Sequence, residues 1–377
     1  MAAPIKKIFI TIPWFLPAFR AGGPVQSIAN LVKELNEEVM FFIFCGDTDL
    51  NGAELENITK GEWLAFNEHT KLWFSEAGNV SDSMVKQVEI LKPDILYIIG
   101  MFSWHFNMVP LLFCKGPKKI LSTKGMLHPG GLSQKKWKKK IYLQCFKLLE
   151  YHYKVLFHAT DGEEARHIEN YFGKAAKVFV AGNFPNKIGA LPMVEKKPGY
   201  LKLISIAVIS PMKNILSVLQ ALEKVKGNIQ YDVYGPVKDE DYRDACKAQI
   251  KKLPANISVV LHKEIEPQRV KEVLQEAHVF ILPSKSENFG HAIYEAMSAG
   301  RPVITSHFTP WNQLRDLRAG INVSLDDDKE LSDAIDIFAS MDEGMFSPWH
   351  HGAVAYAEKA VDVVKIRKEY ERMFSLD

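Results

Sequence analysis

Short, largely apolar runs alternate with longer amphipathic stretches from one end of this chain to the other. The runs Ile8–Ile12, Val39–Cys45, Ile95–Ile99, Lys119–Ser122, Leu156–Ala159 and Val178–Ala181 have the length of strands. A second series follows in Leu203–Val208, Gln230–Tyr234, Ser258–Leu261, Val279–Leu282 and Val303–Thr305. Near-continuous apolar character suits strands buried on both faces. Between them, Val25–Leu35, Ile215–Val225, Pro267–Glu276 and Lys329–Phe338 read as helices. Strand and helix in alternation predict the α/β class, with parallel sheets that need helical crossovers.

The two series have a similar rhythm and are separated by Asn183–Tyr200. That stretch holds Asn183, Pro185, Asn186, Gly189, Pro192, Pro198 and Gly199 around a charged Glu195-Lys196-Lys197. Its composition suits a linker rather than the interior of an element. Two domains are therefore expected, residues 1–185 and 186–353. The segment Val354–Phe374 reads as one or two helices, and 354–377 is expected to pack back on the first domain. In doubly wound sheets, ligands bind outside the carboxyl ends of the strands. Two such domains joined by one linker would place a cleft between those ends.

A chain of 377 residues exceeds what one core usually supports, which agrees with two domains. A formal charge of +2 argues against a highly basic nucleic-acid binder and leaves local basic patches open. Cys45, Cys114, Cys145 and Cys246 show neither a Cys-x-x-Cys pair nor zinc spacing, so no disulfide framework or structural metal is expected. The setting this suggests is a reducing cytoplasm. Lys6 and Lys7 precede an apolar run to Phe19, as in a signal peptide, but Pro13 and Pro17 interrupt it, so a buried first strand and its loop is the better reading. No later stretch has the roughly 18 uninterrupted apolar residues of a membrane helix.

The strongest chemical signal runs from Pro283 to Thr305. It leaves a strand, passes Ser286-Glu287-Asn288-Phe289-Gly290, enters a helix at His291, and exits through Gly300 into another strand. Seven residues separate Glu287 from Glu295, which puts Glu287 in the loop and Glu295 about two turns into the helix. The helix N-terminus between them offers unpaired N–H groups and a positive dipole end, suited to a diphosphate. Two carboxylates beside an anion site can accept hydrogen bonds from sugar and ribose hydroxyls. Taken alone, two glutamates at this spacing would be ordinary residues of an amphipathic helix.

With Phe289-Gly290, Ala296-Met297, Gly300 and Pro302-Val303-Ile304 in register, the stretch resembles the Glu-x7-Glu motif of family 4 retaining glycosyltransferases, the "group 1" enzymes of GT-B fold. The resemblance implies two Rossmann-like doubly wound parallel-sheet domains facing a central cleft, the second binding a nucleotide sugar. It gives Glu287 the donor sugar, Glu295 the ribose, and the backbone of Asn288, Phe289, Gly290 and His291 the phosphates. Ala21-Gly22-Gly23-Pro24, with Pro24 near a helix start, resembles the family's Gly-Gly loop, which places Gly22 and Gly23 near the donor phosphates. Lys213, in Ile209-Ser210-Pro211-Met212-Lys213-Asn214, resembles the lysine that neutralises the diphosphate. The family usually has an arginine shortly before it, where this chain has Val208.

In the first half, Ser122-Thr123-Lys124-Gly125-Met126-Leu127 stands where relatives often have Pro-Arg-Gly-Met-Leu. Lys124 would replace the arginine, and His128, just beyond, competes with His105 for the role of a first-domain histidine that touches donor or acceptor. A loop histidine is otherwise most often merely exposed. The resemblance implies transfer of a hexose-like unit, with retention, to a glycan or lipid-linked glycan acceptor, in surface polysaccharide biosynthesis. Its catalytic group would be Lys213, Glu287, Lys124 and His128. No cofactor is implied beyond the nucleotide diphosphate sugar itself, and no metal.

Three points stay open on the residues. Asp47-Thr48-Asp49 is a literal Asp-x-Asp, a pattern used by metal-dependent transferases, whereas Asp326-Asp327-Asp328 precedes a helical pattern and reads as an N-cap. Residues 134–148 combine Lys135, Lys136, Lys138, Lys139 and Lys140 with Trp137, Ile141, Tyr142, Leu143 and Phe146. That is either a peripheral contact with an anionic membrane face or a solvated cationic helix. The same architecture also serves nucleotide-sugar epimerases, and a non-catalytic nucleotide-sugar-binding protein is a third reading.

Overall fold

The computed structural model describes residues 5–35, 39–50, 52–128, 132 and 136–375. The chain divides into two compact units, one of Met1–Phe184 with Val363–Asp377 and one of Pro185–Asp362.

The first unit is built on an eight-stranded sheet of β1 (Lys6–Thr11), β2 (Val39–Gly46), β3 (Trp63–Asn67), β4 (Thr70–Ser75), β5 (Ile95–Ile99), β6 (Lys118–Ser122), β7 (Leu156–Ala159) and β8 (Val178–Val180). Their order is β3-β4-β2-β1-β5-β6-β7-β8, and only the β3–β4 pair is antiparallel. Along the chain run α1 (Gly23–Glu34), α2 (Val80–Leu91), α3 (Val109–Phe113), α4 (Lys136–Leu148) and α5 (Gly162–Phe172). Every residue of β5 is buried, as expected of a central parallel strand covered on both sides. The sequence pattern left β3 and β4 unassigned. They form an edge hairpin whose Trp63 and Trp73 stand opposite each other, with Trp63 also edge-on to Phe9 and Phe42. Tertiary packing of the two tryptophans, rather than a long apolar run, holds that edge.

The second unit has a six-stranded, wholly parallel sheet: β9 (Tyr200–Ile206), β10 (Asn228–Tyr234), β11 (Ile257–His262), β12 (Val279–Leu282), β13 (Val303–Ser306) and β14 (Gly320–Val323), in the order β11-β10-β9-β12-β13-β14. Counted within the unit this is the 3-2-1-4-5-6 order of dinucleotide-binding folds. Its helices are α6 (Ile215–Leu222), α7 (Glu240–Ile250), α8 (Val270–Gln275), α9 (His291–Ser298), α10 (Asp328–Ser340) and α11 (Glu343–Ala360). The strand order reverses between β9 and β12, which leave on opposite sides and open a crevice at their carboxyl ends. The first unit has the equivalent reversal between β1 and β5.

The stretch expected to be a linker contains no helix or strand over residues 181–197, yet from Pro185 on it is no loose tether. Ile188 N–H donates to Ser298 Oγ, Leu191 N–H to the Ala299 carbonyl, and the Lys196 ammonium to the carbonyls of Ala339 and Met341. Two of its backbone N–H groups and a buried lysine find their acceptors in the second unit, to which it belongs.

The chain end departs from expectation. Residues 354–360 are the tail of α11, which stays in the second unit; a break at Val361–Asp362 follows, and only α12 (Val363–Phe374) joins the first unit. α12 buries Ile366, Tyr370, Met373 and Phe374. Tyr370 stacks on Phe184 and lies against His158, and Phe374 stands edge-on to Tyr97. Lys118 donates to the Met373 carbonyl and Lys6 to that of Phe374, so two cations meet the negative end of the helix.

Truncating a fully buried aromatic side chain typically costs about 3–5 kcal/mol. Tyr370→Ala is expected to destabilise the protein by about that much in denaturant unfolding; a loss below about 1 kcal/mol would mean that α12 contributes little to the first unit.

Candidate active site

In the second unit, the loops that leave β9 and β12 meet at the reversal of strand order. After β9 the chain turns through Ser210–Asn214, with Lys213 N–H donating to the Ser210 carbonyl at 3.0 Å. Asn214 takes a left-handed conformation, φ 57°, as the N-cap of α6, and its Oδ1 accepts from Ser217 Oγ at 2.8 Å. Lys285 N–H donates to the Met212 carbonyl at 2.8 Å, which ties the two loops together. The Lys213 ammonium, projecting from the first loop, lies 2.5 Å from Glu287 Oε1 on the second. The buried Ser284 hydroxyl donates to the same oxygen at 2.7 Å. Two residues 74 positions apart are thus joined in one charge-assisted contact, both mostly shielded.

Immediately beyond Glu287 the chain enters α9. Gly290 is the N-cap with φ 75°, a left-handed value that favours glycine, and no side chain caps the helix. A Cβ there would come within 3.2 Å of both Ile293 and the Trp311 indole nitrogen. The α9 N-terminus therefore presents backbone donors and the positive end of its dipole beside the Lys213–Glu287 pair. Phe289 packs edge-on against Trp311, so this residue can serve an anion only through its backbone. Val208, in place of an arginine, is half-buried in the turn after β9.

Glu295 projects from α9 and is buried, 8% exposed. Asn186 Nδ2 donates to its Oε1 at 2.8 Å. Burial pushes this carboxyl up to about 7, and the Asn186 bond offsets only part of that. Asn186 comes from the stretch read as linker, and composition gave no sign that it reaches a site residue.

The first unit gathers the other candidates at the carboxyl ends of β1, β6 and β7. Gly22 caps α1 with φ 68°, again without a side-chain cap, and a Cβ on Gly22 or Gly23 would meet nothing within 4 Å. The first glycine thus fits backbone conformation, and both leave room for close approach to the helix start. After β6, Thr123–His128 forms a tight turn in which Lys124 has φ 47° and His128 N–H donates to the Gly125 carbonyl. Lys124 Nζ donates to Asn183 Oδ1 at 3.1 Å, and desolvation, only partly opposed by Glu164, lowers its ammonium to about 8.

Glu164 organises that turn. Its carboxylate accepts four hydrogen bonds, from Thr123 Oγ1 at 2.5 Å, Gly125 N–H at 2.6 Å, and Thr160 N–H and Oγ1 at 2.8 Å each. Burial alone would raise its pKa, but these donors win and hold it below the ordinary range. Sequence reading passed over it. The signal was Asp161-Gly162-Glu163-Glu164, a capping-box pattern, and Asp161 Oδ1 does accept from Glu164 N–H at 2.7 Å.

The two candidate histidines have different settings. His105 is exposed, with Nδ1 2.8 Å from the Ser81 hydroxyl. His128 is partly covered; its Nε2 lies 3.9 Å from Glu163 Oε1 and its ring stands edge-on to His167 at 5.0 Å. Burial, with His167 adding to it and Glu163 opposing, lowers the His128 pKa. Asp47 and Asp49 are buried and engaged with separate cations, Lys60 at 2.7 Å and Arg20 at 3.7 Å. Each carboxylate thus ties its loop to a cation of the first unit. Asp327 caps α10, accepting from Lys329 N–H at 2.8 Å.

Residues 192–345, all within the second unit and less than half of the chain, match the family model described as "Glycosyl transferases group 1". No curated protein matches the chain. Among solved structures, Anabaena Alr3699/HepE in complex with UDP and glucose is similar with TM-score 0.70 at 16% identity, over 98% of this chain and 99% of that one. Sucrose-phosphate synthase (tll1590) from Thermosynechococcus elongatus is similar with TM-score 0.71 at 14% identity, over 99% and 100%. WaaG, described as a glycosyltransferase involved in lipopolysaccharide biosynthesis, is similar with TM-score 0.64 at 12% identity, over 97% and 99%. The architecture is that of GT-B glycosyltransferases, two Rossmann-like domains with parallel sheets.

Glu295 makes stability depend on pH in a defined direction. Its folded-state pKa, about 7, lies above the ordinary 4.5, so the folded chain holds the proton more tightly. This favours folding below about pH 4.5 and is lost as pH rises through about 7, a difference of order 3 kcal/mol. Glu295→Gln is expected to flatten the fall in stability between pH 5 and pH 8 by about 1–3 kcal/mol, read by denaturant titration. Identical pH slopes in the two proteins would mean that Glu295 is not protonated at neutrality.

Proposed function

We propose that the chain is a group 1, family 4 glycosyltransferase that moves a hexose-like unit from a nucleoside diphosphate sugar to a glycan or lipid-linked glycan acceptor, with retention of configuration. The observation that carries this reading is the junction of Lys213 and Glu287 at the strand reversal, beside the uncapped start of α9. The family match over residues 192–345 supports it, because that stretch contains both loops.

As the donor's sugar–phosphate bond breaks, negative charge grows on the leaving diphosphate and positive charge on the sugar. Fixed donors aimed at the phosphate oxygens stabilise this change most effectively. Lys213 and the backbone N–H groups at Gly290–Ala292 fill that role in our reading. Glu287 holds the lysine until the donor arrives, then accepts from sugar hydroxyls; Glu295 accepts from the ribose. We assign no covalent nucleophile to the protein. The departing phosphate takes the acceptor proton, as suits a retaining transfer in which both carboxylates serve donor binding. In the first unit, Gly22–Gly23 provides a second set of backbone donors for phosphate, while Lys124 and His128 are polar contacts to donor or acceptor.

The setting we propose is the cytoplasmic face of a membrane, in surface polysaccharide biosynthesis; one structural neighbour, WaaG, is described as involved in lipopolysaccharide biosynthesis. Gln134 and Lys135 lie outside the described residues, but α4 follows. Trp137, Ile141 and Leu148, spaced along one helical face, are 65%, 54% and 83% exposed, and Leu149 and Tyr153, beyond the helix end, are 54% and 51% exposed. Lys138 and Lys140 flank it, while Leu143 and Phe146 face the core. An exposed apolar stripe rimmed by lysines suits the interface of an anionic bilayer. Among the described residues no helix is long and apolar enough to cross a membrane.

Calorimetry of the protein against UDP, GDP and ADP, with and without EDTA, tests the donor site. One nucleotide should bind, insensitive to EDTA, and Lys213→Ala should weaken it by about tenfold or more, the 1.5–3 kcal/mol of a charge-assisted contact. Failure of all three to bind would overturn the reading, and a metal requirement would return attention to Asp47 and Asp49. Incubation of the bound donor without acceptor separates transfer from epimerisation. Co-sedimentation with anionic vesicles should fall sharply in Ile141→Ser/Leu148→Ser and in high salt; equal binding by that variant would remove the membrane contact.

A further inference from the structure

Three side chains of the first unit converge outside the donor machinery of the second. Glu163 and His167 lie one turn apart on α5 and therefore on one face of it. His128 approaches from the turn that follows β6. One ligand atom from each, two imidazole nitrogens and a carboxylate oxygen, all lie within 4.8 Å of one another. A tetrahedral zinc about 2.0–2.1 Å from each would set them about 3.4 Å apart. The three must draw in by about an ångström, within the reach of side-chain rotation for the partly exposed His128 and the exposed Glu163.

The scaffold under them is fixed more firmly than surface loops usually are. The Glu164 carboxylate, on the residue after Glu163, binds Thr123 and Gly125 of the His128 turn as well as Thr160 before α5. Leu127, next to His128, is fully buried. The two elements that carry the ligands are thus riveted by a neighbouring carboxylate, which is how preorganised metal sites hold their geometry. A helix N-terminus disfavours a cation. Asp161, Glu163 and Glu164 crowd this one and make the local field negative.

We infer that His128, Glu163 and His167 form a binding site for one divalent transition metal ion of borderline softness, such as Zn2+ or Co2+. Two imidazoles with one carboxylate select such ions over Mg2+ or Ca2+, which prefer all-oxygen shells. Three protein ligands leave a fourth position for water or an external anion. Binding would take the His128 imidazole from any role toward an acceptor, so the metal would act as an inhibitor rather than as a participant in transfer. The metal site uses the first unit only and stands or falls apart from the transferase reading; the inhibitory effect alone rests on that reading.

Cobalt reports its own coordination. Tag-free protein titrated with Co2+ is expected to develop visible d–d bands of a tetrahedral complex, saturating at one equivalent and displaced by Zn2+. His167→Gln and Glu163→Gln, each with wild-type circular dichroism and thermal unfolding, should weaken binding by about tenfold or more. Lys213→Ala should leave the bands unchanged. Absence of bands at millimolar Co2+, or bands of equal strength in both variants, would overturn the site.

Discussion

Parallel pairing of β9 with both β10 and β12 is the constraint on which the second unit depends. A parallel neighbour can be reached only by a crossover, and right-handed crossovers on opposite sides of β9 place their helices on opposite faces of the sheet. The loops after β9 and β12 are therefore the two that no helix covers. Lys213 and Glu287 occupy those loops, and their 2.5 Å contact follows from strand order rather than from any local attraction along the chain. The first unit repeats the arrangement between β1 and β5, which explains why its open glycines follow β1.

Hydrogen-bond arithmetic sets the character of the carboxylates around these loops. Glu164 and Glu295 are both buried, at 4% and 8% exposure. A hydrogen bond to a charged group contributes about 1.5–3 kcal/mol, so the four that Glu164 accepts outweigh several kcal/mol of desolvation. Glu295 has Asn186 for that work, and its pKa rises to about 7. The difference suits different tasks. Glu164 is saturated by its own turn and rivets α5 to β6, whereas a carboxylate short of donors gains most when hydroxyls arrive. Glu287 accepts from Lys213 and Ser284.

Periodicity carried the strands a long way, because parallel strands buried on both faces are almost continuously apolar; β5 and β12 coincide with the runs Ile95–Ile99 and Val279–Leu282. It failed where packing replaced pattern. The β3–β4 hairpin depends on tryptophans that meet only in the folded sheet, and β14 is four residues that include a glycine and a polar asparagine. At the chain end, 354–377 was expected to pack back as one piece, and the break at Val361–Asp362 between its two helices has no strong breaker to mark it. The site shows the same division. The loop–helix stretch around Glu287 and Glu295 was legible because its chemistry is contiguous. Asn186 and Glu164 were not, since each acts on a residue far along the chain or across a turn.

That division has a physical consequence for the first unit. Lys124 and His128 share one short turn, and the turn's conformation, with Lys124 in the left-handed region, is paid for by Glu164. Without that carboxylate the Gly125 amide and the Thr123 hydroxyl would lose their buried acceptor, a cost of about 1–3 kcal/mol for each group left bare. The residues whose chemistry is visible in the sequence are therefore the dependent ones. What positions them is a glutamate that would touch neither donor nor acceptor, and its hold on two backbone segments fixes where a lysine of lowered pKa and an imidazole can stand.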